Sequence, residues 1–378
     1  MRVVVLGAGF GGLELATVLS DRFGEKLDLV LIDKSEGFVF GFSKLDVMFG
    51  RTTAEQVLHR YDDILKPGVR FVRATITSID PVSKTVVTDA GTFNADLLVI
   101  ALGADLDPAA TPGLVEGGHE FYTEAGAFAT RDVLAAFTGG HVVVGVTSLP
   151  FKCPPAPSET ALLVHDLLER RGLLDRSRVS LLMPLPAPIP PAPEASKLLL
   201  TTFAERGIAW HPETVVRALD PARQVLLIGE DAEMPYDLFL GVPKHRAPQV
   251  VVDAGLTEDG WIPVDYTLHT RFPGVFAVGD CTSVGTPKAG VFAEGQAAIA
   301  ADRITALLRG EDPDAVYGGR GICYLEVGHD LVAKVDAYFP SGGPPSGALE
   351  GPTLEIAADK SAFGAERVQR WFGRRWSP

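Results

Sequence analysis

The run Arg2-Val3-Val4-Val5-Leu6-Gly7-Ala8-Gly9-Phe10-Gly11-Gly12-Leu13 decides how the rest of the chain is read. Its β-branched start predicts a short buried strand, and the helical apolar spacing from Leu13 to about Asp21 predicts a helix directly after the glycines. A second apolar run, Leu27-Asp28-Leu29-Val30-Leu31-Ile32, ends on Asp33. Strand, glycine turn, helix, strand and terminal acid, in that order, make a dinucleotide-binding fingerprint. Glycines let the backbone approach a pyrophosphate, whose charge then sits against the positive end of the helix. A carboxylate about 20 residues further on stands where it can bond ribose hydroxyls.

Residues 69–79 and 84–88 read as strands, and Asp96-Leu97-Leu98-Val99-Ile100-Ala101-Leu102-Gly103-Ala104 as a buried strand ending at a glycine. A helix over 130–137 leads to the β run His141-Val142-Val143-Val144-Gly145-Val146. A helix over 158–171 and a strand over 178–183 follow, making a second βαβ unit. Its turn, Thr147-Ser148-Leu149-Pro150-Phe151-Lys152-Cys153-Pro154-Pro155-Ala156-Pro157, has no GxGxxG. A proline-stiffened loop bearing a cysteine is poorly shaped to wrap a pyrophosphate. Residues 184–193 (PLPAPIPPAP) read as a constrained, polyproline-like spacer. Segments 196–206, 214–219, 224–228 and 236–242 continue the alternation. Phe272-Pro273-Gly274-Val275-Phe276-Ala277-Val278-Gly279-Asp280 is a further strand ending in Gly-Asp, followed by a helix of small residues over about 290–308. The expected fold class is α/β, with two Rossmann-like dinucleotide-binding domains and a C-terminal segment. The first domain takes residues 1–108 and 250–315. The second, with a degenerate nucleotide site, takes 109–249, and the segment 316–378 forms a separate tail.

Composition narrows the function. The chain has 378 residues, 46% hydrophobic and 22% charged, as in ordinary globular proteins. A net charge of −14 disfavours a whole-molecule nucleic-acid binder. No apolar run reaches the roughly 18 residues of a membrane span, and Met1-Arg2 leads into a strand rather than a signal peptide. The three cysteines, Cys153, Cys281 and Cys323, form no CxxC pair, and the eight histidines show neither HxH nor HExxH spacing. Neither a secreted disulfide framework nor a metal site is expected. A cytoplasmic protein is expected, soluble or peripheral on the inner face of a membrane.

The pattern resembles the flavoproteins built from two dinucleotide-binding domains, the glutathione-reductase-like family. The elements that carry it are GAGFGG with Asp33, the DLLVIALGA strand, and PGVFAVGDC. Within that family it is similar to the branch of sulfide:quinone oxidoreductases and flavocytochrome c sulfide dehydrogenases, over nearly the whole chain. The more specific marks are Cys153 in FKCPPAPSE, Lys288-Ala289-Gly290 in TPKAGVFAEGQ, and Cys323 in GRGICYLEVG. The resemblance implies FAD as cofactor, a small sulfur compound as substrate and a quinone as acceptor. It also implies a redox-active pair of Cys153 and Cys323 beside the flavin. Flavocytochrome-type relatives carry a flavin-linking cysteine near positions 42–46. Phe42-Ser43-Lys44-Leu45-Asp46 stands there instead, so noncovalent FAD is expected. A type II NADH dehydrogenase and a non-catalytic electron-transfer flavoprotein are the alternatives.

The expected flavin contacts are Gly7, Gly9, Phe10, Gly11, Gly12, Asp33, Lys34, Ile76, Ala101, Gly103, Gly279, Asp280, Lys288 and Ala289. Asp280 would bond the ribityl chain, with Gly279 allowing close approach. Lys288 and the helix after Pro287 would bring positive charge to the flavin's carbonyl edge. Cys153, beside Lys152 and just before a helix, is expected to have a lowered thiol pKa. Glu159 is a candidate proton relay, and Cys281 is expected to be structural. The cluster Lys244-His245-Arg246 reads as a solvated loop. In the last stretch, Arg367, Arg370, Arg374 and Arg375 stand against Glu366, and Phe363, Val368, Trp371 and Phe372 fall near one helical face. That face suits a membrane interface, and equally a helix docked on its own domain or on a partner subunit in a homo-oligomer.

Overall fold

Alternation of side chains along the first strand builds the central layers. In the computed structural model, which describes residues 1–376, Val3 and Val5 face one apolar layer and Val4 and Leu6 the other. Strands Asp28–Asp33, Leu97–Ile100 and Val275–Ala277 divide the same way, as strands buried on both faces must. With Val69–Arg73 they form a five-stranded parallel sheet. Its order is Val275–Ala277, Leu97–Ile100, Arg2–Leu6, Asp28–Asp33, Val69–Arg73. Helices Phe10–Phe23 and Gly290–Arg309 pack together over one face.

A second parallel sheet repeats the plan. Its order is His119–Glu120, Leu238–Val242, Gly140–Val146, Ser177–Leu182, Ala209–His211. Each sheet carries a three-stranded antiparallel meander, over 76–94 in the first and 216–235 in the second. In each, the strand after the meander returns beside the first strand of its own unit. Where the chain passes between the two sheets, Asp105–Asp107 pairs antiparallel with Lys244–Arg246. The segment Lys244-His245-Arg246 is therefore a strand, with His245 only 3% exposed, and not a solvated loop.

Other boundaries moved for local reasons. The expected strand over 69–79 breaks into Val69–Arg73 and Ile76–Asp80. The helix expected over 130–137 begins earlier, at Glu124, where the Thr123 hydroxyl accepts from the Gly126 N–H. The proline-rich stretch ends inside a helix, because Pro193 occupies its first turn in Pro193–Glu205.

The C-terminal segment is not a detached tail. Strands Arg320–Gly328, Leu331–Tyr338 and Ser346–Thr353 form an antiparallel sheet, and helix Leu354–Phe372 follows, capped by the Thr353 hydroxyl. Val368, Trp371 and Phe372 are buried in the same layer as Val3 and Leu13. Trp371 Nε1 donates to Glu14 Oε2 (2.9 Å), and Arg370 to Glu14 Oε1 (2.8 Å). The apolar face of this helix thus docks on its own chain. Among the described residues, no helix is long and apolar enough to cross a membrane.

Candidate active site

The glycine turn lies at the C-terminal end of the first strand, where ligands of open parallel sheets bind. A Cβ on Gly7 (φ +98°) would meet the Ala101 carbonyl oxygen at 2.3 Å, and one on Gly12 would meet the Gly7 oxygen at 1.9 Å. Packing therefore demands both glycines. Around Gly9 and Gly103 a Cβ would find no atom within 4 Å among the described residues, so these positions leave an open face for a ligand. Helix Phe10–Phe23 starts at Gly9 with neither a side-chain cap nor a first-turn acid among the described residues. That leaves its first N–H groups available to an anion. The Asp33 carboxylate braces this turn, accepting from Ala8 N (2.7 Å) and Ser35 N (2.8 Å).

Gly279 (φ +80°) donates its N–H to Gln296 Oε1 at 2.7 Å. Burial pushes the Asp280 carboxyl up, against the pull of Lys152, Lys288 and Lys44. Ala289 opens helix Gly290–Arg309. Lys34 is exposed, with its carbonyl facing Arg73 Nε (3.4 Å), and Ile76 packs against the layer holding Ile32 and Ala74. Gly9 and Gly103 thus leave open space beside the turn that Asp33 braces, whereas Lys34 is exposed and Ile76 belongs to the apolar layer behind it.

Cys153 and Cys323, far apart in sequence, wall one chamber of about 150 Å³ together with Phe10, Lys44, Glu159 and Lys360. Both are free thiols here. Cys153 adopts φ +46°, a left-handed conformation that is strained for a side chain of this kind. Its N–H donates to the Lys288 carbonyl (2.7 Å), and its own carbonyl accepts from Ala156 N (2.9 Å), which fixes the loop. The expected lowering of its pKa is not found. Burial, joined by Asp280, pushes the thiol up to about 11, against Lys44 and Lys152. Burial pushes Cys323 up to about 12. Cys281 is fully buried near the Val278 and Ile100 carbonyls, in the structural place expected of it.

Glu159 lies in the first turn of helix Ala156–Arg170 and is 8% exposed. Burial, reinforced by the Glu326 carboxylate, pushes it up to about 7, while Lys360 and Arg51 pull the other way. Its Oε1 accepts from the Glu326 N–H at 2.9 Å. Glu326 behaves oppositely. Although burial works to raise it, Lys360 and Arg51 outweigh burial and hold it at about 2. Lys360 Nζ and Arg51 both reach its carboxylate at 2.5 Å. Adjoining carboxyls are thus driven apart, one poised near neutrality and one fixed as an anion.

Lys288 is placed differently from expectation. Its ammonium donates to the carbonyls of Asp280 (2.7 Å) and Thr282 (2.9 Å) and lies 3.3 Å from the Trp261 ring centroid. In this arrangement it braces the Gly279–Cys281 turn and is not aimed into the cysteine chamber. Lys44 does wall that chamber. Burial and Lys152 lower it to about 8, and it donates to the Tyr122 carbonyl. Lys44, Glu326 and Lys360 were not among the site residues expected from the motifs. The one available signal was Glu326, three residues beyond Cys323 on the same strand.

A separate cavity of about 400 Å³ reaches Cys323 from the other side, walled by Pro150, Phe151, Ile189, Pro191 and Phe339. The proline-rich stretch over 184–193 is therefore a cavity wall and not merely a spacer.

Comparison with known proteins agrees with this architecture. The family described as "Pyridine nucleotide-disulphide oxidoreductase" matches residues 1–301. The sulfide-quinone reductase of Aquifex aeolicus is 28% identical over 358 residues, 87% of this chain and 81% of that protein. A crystal structure of the sulfide:quinone oxidoreductase from that bacterium superposes with a TM-score of 0.88 at 24% identity, covering all of this chain and 92% of its own. The mitochondrial sulfide:quinone oxidoreductase of Mus musculus is 25% identical over 346 residues, 87% of this chain and 76% of that protein. A type II NADH:quinone oxidoreductase of Staphylococcus aureus is 36% identical, but over only 104 residues, 27% of this chain and 26% of that protein.

Proposed function

This chain belongs to the pyridine nucleotide-disulphide oxidoreductase family, and from that premise we propose that it oxidises sulfide, or a related small sulfur compound, at the Cys153–Cys323 pair and passes the electrons to a quinone. The observation that carries this reading is the shared chamber, in which two thiols from distant parts of the chain meet a carboxyl poised near 7. The flavin, held noncovalently as FAD, supplies a two-electron relay when bound. Gly7, Gly9, Gly11 and Gly12, with Asp33, Gly103, Gly279 and Asp280, would hold it.

The remaining roles fall to side chains. With Cys153 and Cys323 joined as a disulfide, hydrosulfide forms one S–S bond and breaks another. One cysteine keeps the persulfide and the other leaves as a thiolate. Lys44 and Lys152, which pull the Cys153 thiol down against burial, stabilise that thiolate. Glu159 holds or yields the accompanying proton near neutral pH. Phe42, Phe121 and Phe363 give the chamber flat apolar walls suited to a quinone ring. The apolar cavity beside Cys323 offers room for sulfane sulfur leaving the pair.

A second reading, NADH-dependent quinone reduction, is favoured by the partial likeness to the Staphylococcus aureus protein. Against it stands the proline-stiffened turn over 147–157, which takes the place of a second glycine turn. Anaerobic titration of the purified flavoprotein with sulfide and with NADH, followed by flavin absorbance, separates the two. Sulfide is expected to bleach the flavin, and Cys153→Ser is expected to slow that bleaching by about 100-fold or more. Rapid bleaching by NADH, with sulfide inert, overturns the proposal.

A further inference from the structure

The chemistry assigned so far leaves one large polar space unused. A cavity of about 480 Å³ is walled by Asp46, Arg51, Glu326 and Lys360, with Ser43 and Ala357 also lining it. Ser43 is 1% exposed, and its hydroxyl has no hydrogen-bond partner among the described residues. Such a space is polar and roomy enough for water. Lys360 and Phe42 wall both this cavity and the cysteine chamber, so the two spaces meet across these side chains. Glu326 spans the same boundary. Its N–H reaches Glu159 on the chamber side, and its carboxylate holds Arg51 and Lys360.

Stoichiometry gives this boundary a task. Oxidation of hydrosulfide by a quinone, HS⁻ + Q + H⁺ → S⁰ + QH₂, moves two electrons from sulfur to quinone and takes up one proton. The NADH reaction, NADH + Q + H⁺ → NAD⁺ + QH₂, has the same proton count. A chamber with largely apolar walls must therefore import a proton in each turnover, whichever donor is used.

We propose, building on the quinone half of the function above, that the polar cavity is the proton port of the cysteine chamber. Asp46 is its outer proton-exchanging group, Lys360 is the crossing point toward Glu159, and Glu326 is the anion that holds the crossing in place. The charges agree with this division. Asp46 stands in the cavity wall with Arg51 Nε 3.0 Å from its Oδ1, and burial, joined by the neighbouring Glu326, raises its carboxyl against the pull of Arg51 and Lys360. Glu326 remains an anion and positions the two cations.

The test uses the holoenzyme, chemically reduced and mixed anaerobically with a soluble ubiquinone analogue at about pH 8. Flavin reoxidation is followed together with proton uptake by an indicator dye. Asp46→Asn is expected to slow reoxidation and proton uptake together by about 10-fold or more, and added imidazole should restore the rate, as a small diffusible acid bypasses a missing carboxyl. Bleaching of the oxidised variant by sulfide should stay within about twofold of wild type. Ala357→Phe, which fills the cavity without removing a charge, should slow reoxidation with no rescue. Wild-type rates in both variants overturn the port. So does slowing of Asp46→Asn that imidazole does not relieve, which marks a merely structural carboxylate. A wild-type enzyme that quinone fails to reoxidise sinks the proposed function itself and the port with it. A failure of the port alone appears only in the variants.

Discussion

A carboxyl enclosed by apolar groups and facing a second carboxylate keeps its proton to higher pH than a free one. Glu159, pushed up to about 7, lies well above the roughly 4.3 of an unfolded glutamate. Between these values the native chain binds a proton that the unfolded chain has released, so this residue makes stability fall as pH rises through that window. Its chemistry has the same sign, because only the protonated form can donate to a quinone. Reoxidation of the reduced enzyme by quinone is therefore expected to fall as pH passes about 7. In Glu159→Gln it should be about 100-fold slower below that point and flat across it, as stopped-flow traces over pH would show. A wild-type profile flat through neutrality would remove Glu159 from the proton path. Its place just after the cysteine loop made Glu159 legible in the sequence. Lys360, which helps to tune it, was not legible, since a lysine on an amphipathic helix reads as a solvated side chain until its partner is known. Lys288 shows the reverse case. The motif marked it for the flavin's edge, and its ammonium bonds the backbone of the Gly279–Cys281 turn.

At the scale of elements, the last helix shows why one pattern can fit two environments. Tryptophan and arginine spaced along an amphipathic face suit a membrane interface and a buried docking face alike. What decides is Glu14, at the other end of the chain. It is 4% exposed and presents its carboxylate to Trp371 and Arg370. Trp371 also stands edge-on to Phe10 and Phe38, with ring centroids 5.5 and 5.6 Å away, so it props the glycine turn from behind. Trp371→Ala leaves a cavity there and a buried carboxylate short of a donor. The expected cost is about 3–5 kcal/mol in urea unfolding, with the flavin released at lower temperature than in wild type. If thermal flavin release were unchanged despite the loss of stability, the helix would be a clamp on the fold without bearing on the cofactor groove. The inner parallel strands, such as Arg2–Leu6, Leu97–Ile100 and Gly140–Val146, were readable because each is buried on both faces by its own unit. The partner of this helix was not, because the contact spans nearly the whole sequence.

Across the whole molecule, one scaffold position serves two purposes. In the first unit the turn after the opening strand is a glycine fingerprint. In the second, the same turn between Gly140–Val146 and Ala156–Arg170 holds Cys153 in a strained backbone beside two prolines. The duplication and this divergence were both visible in the sequence, since turn chemistry is local. How the halves assemble was not visible, because the chamber takes Lys44 from the first unit, Cys153 and Glu159 from the second, Cys323 from the C-terminal sheet and Lys360 from the last helix. A separate tail over 316–378 would be dispensable for folding. The packing says otherwise, since removing that segment strips Val368, Trp371 and Phe372 from the layer that holds Leu13, Phe38 and Phe40. A chain ending at residue 315 is therefore expected to expose that layer, to bind a hydrophobic dye strongly and to lack a cooperative thermal transition. If instead it unfolded cooperatively within about 1 kcal/mol of the full chain and kept its flavin, the segment would be an accessory that supplies chemistry alone.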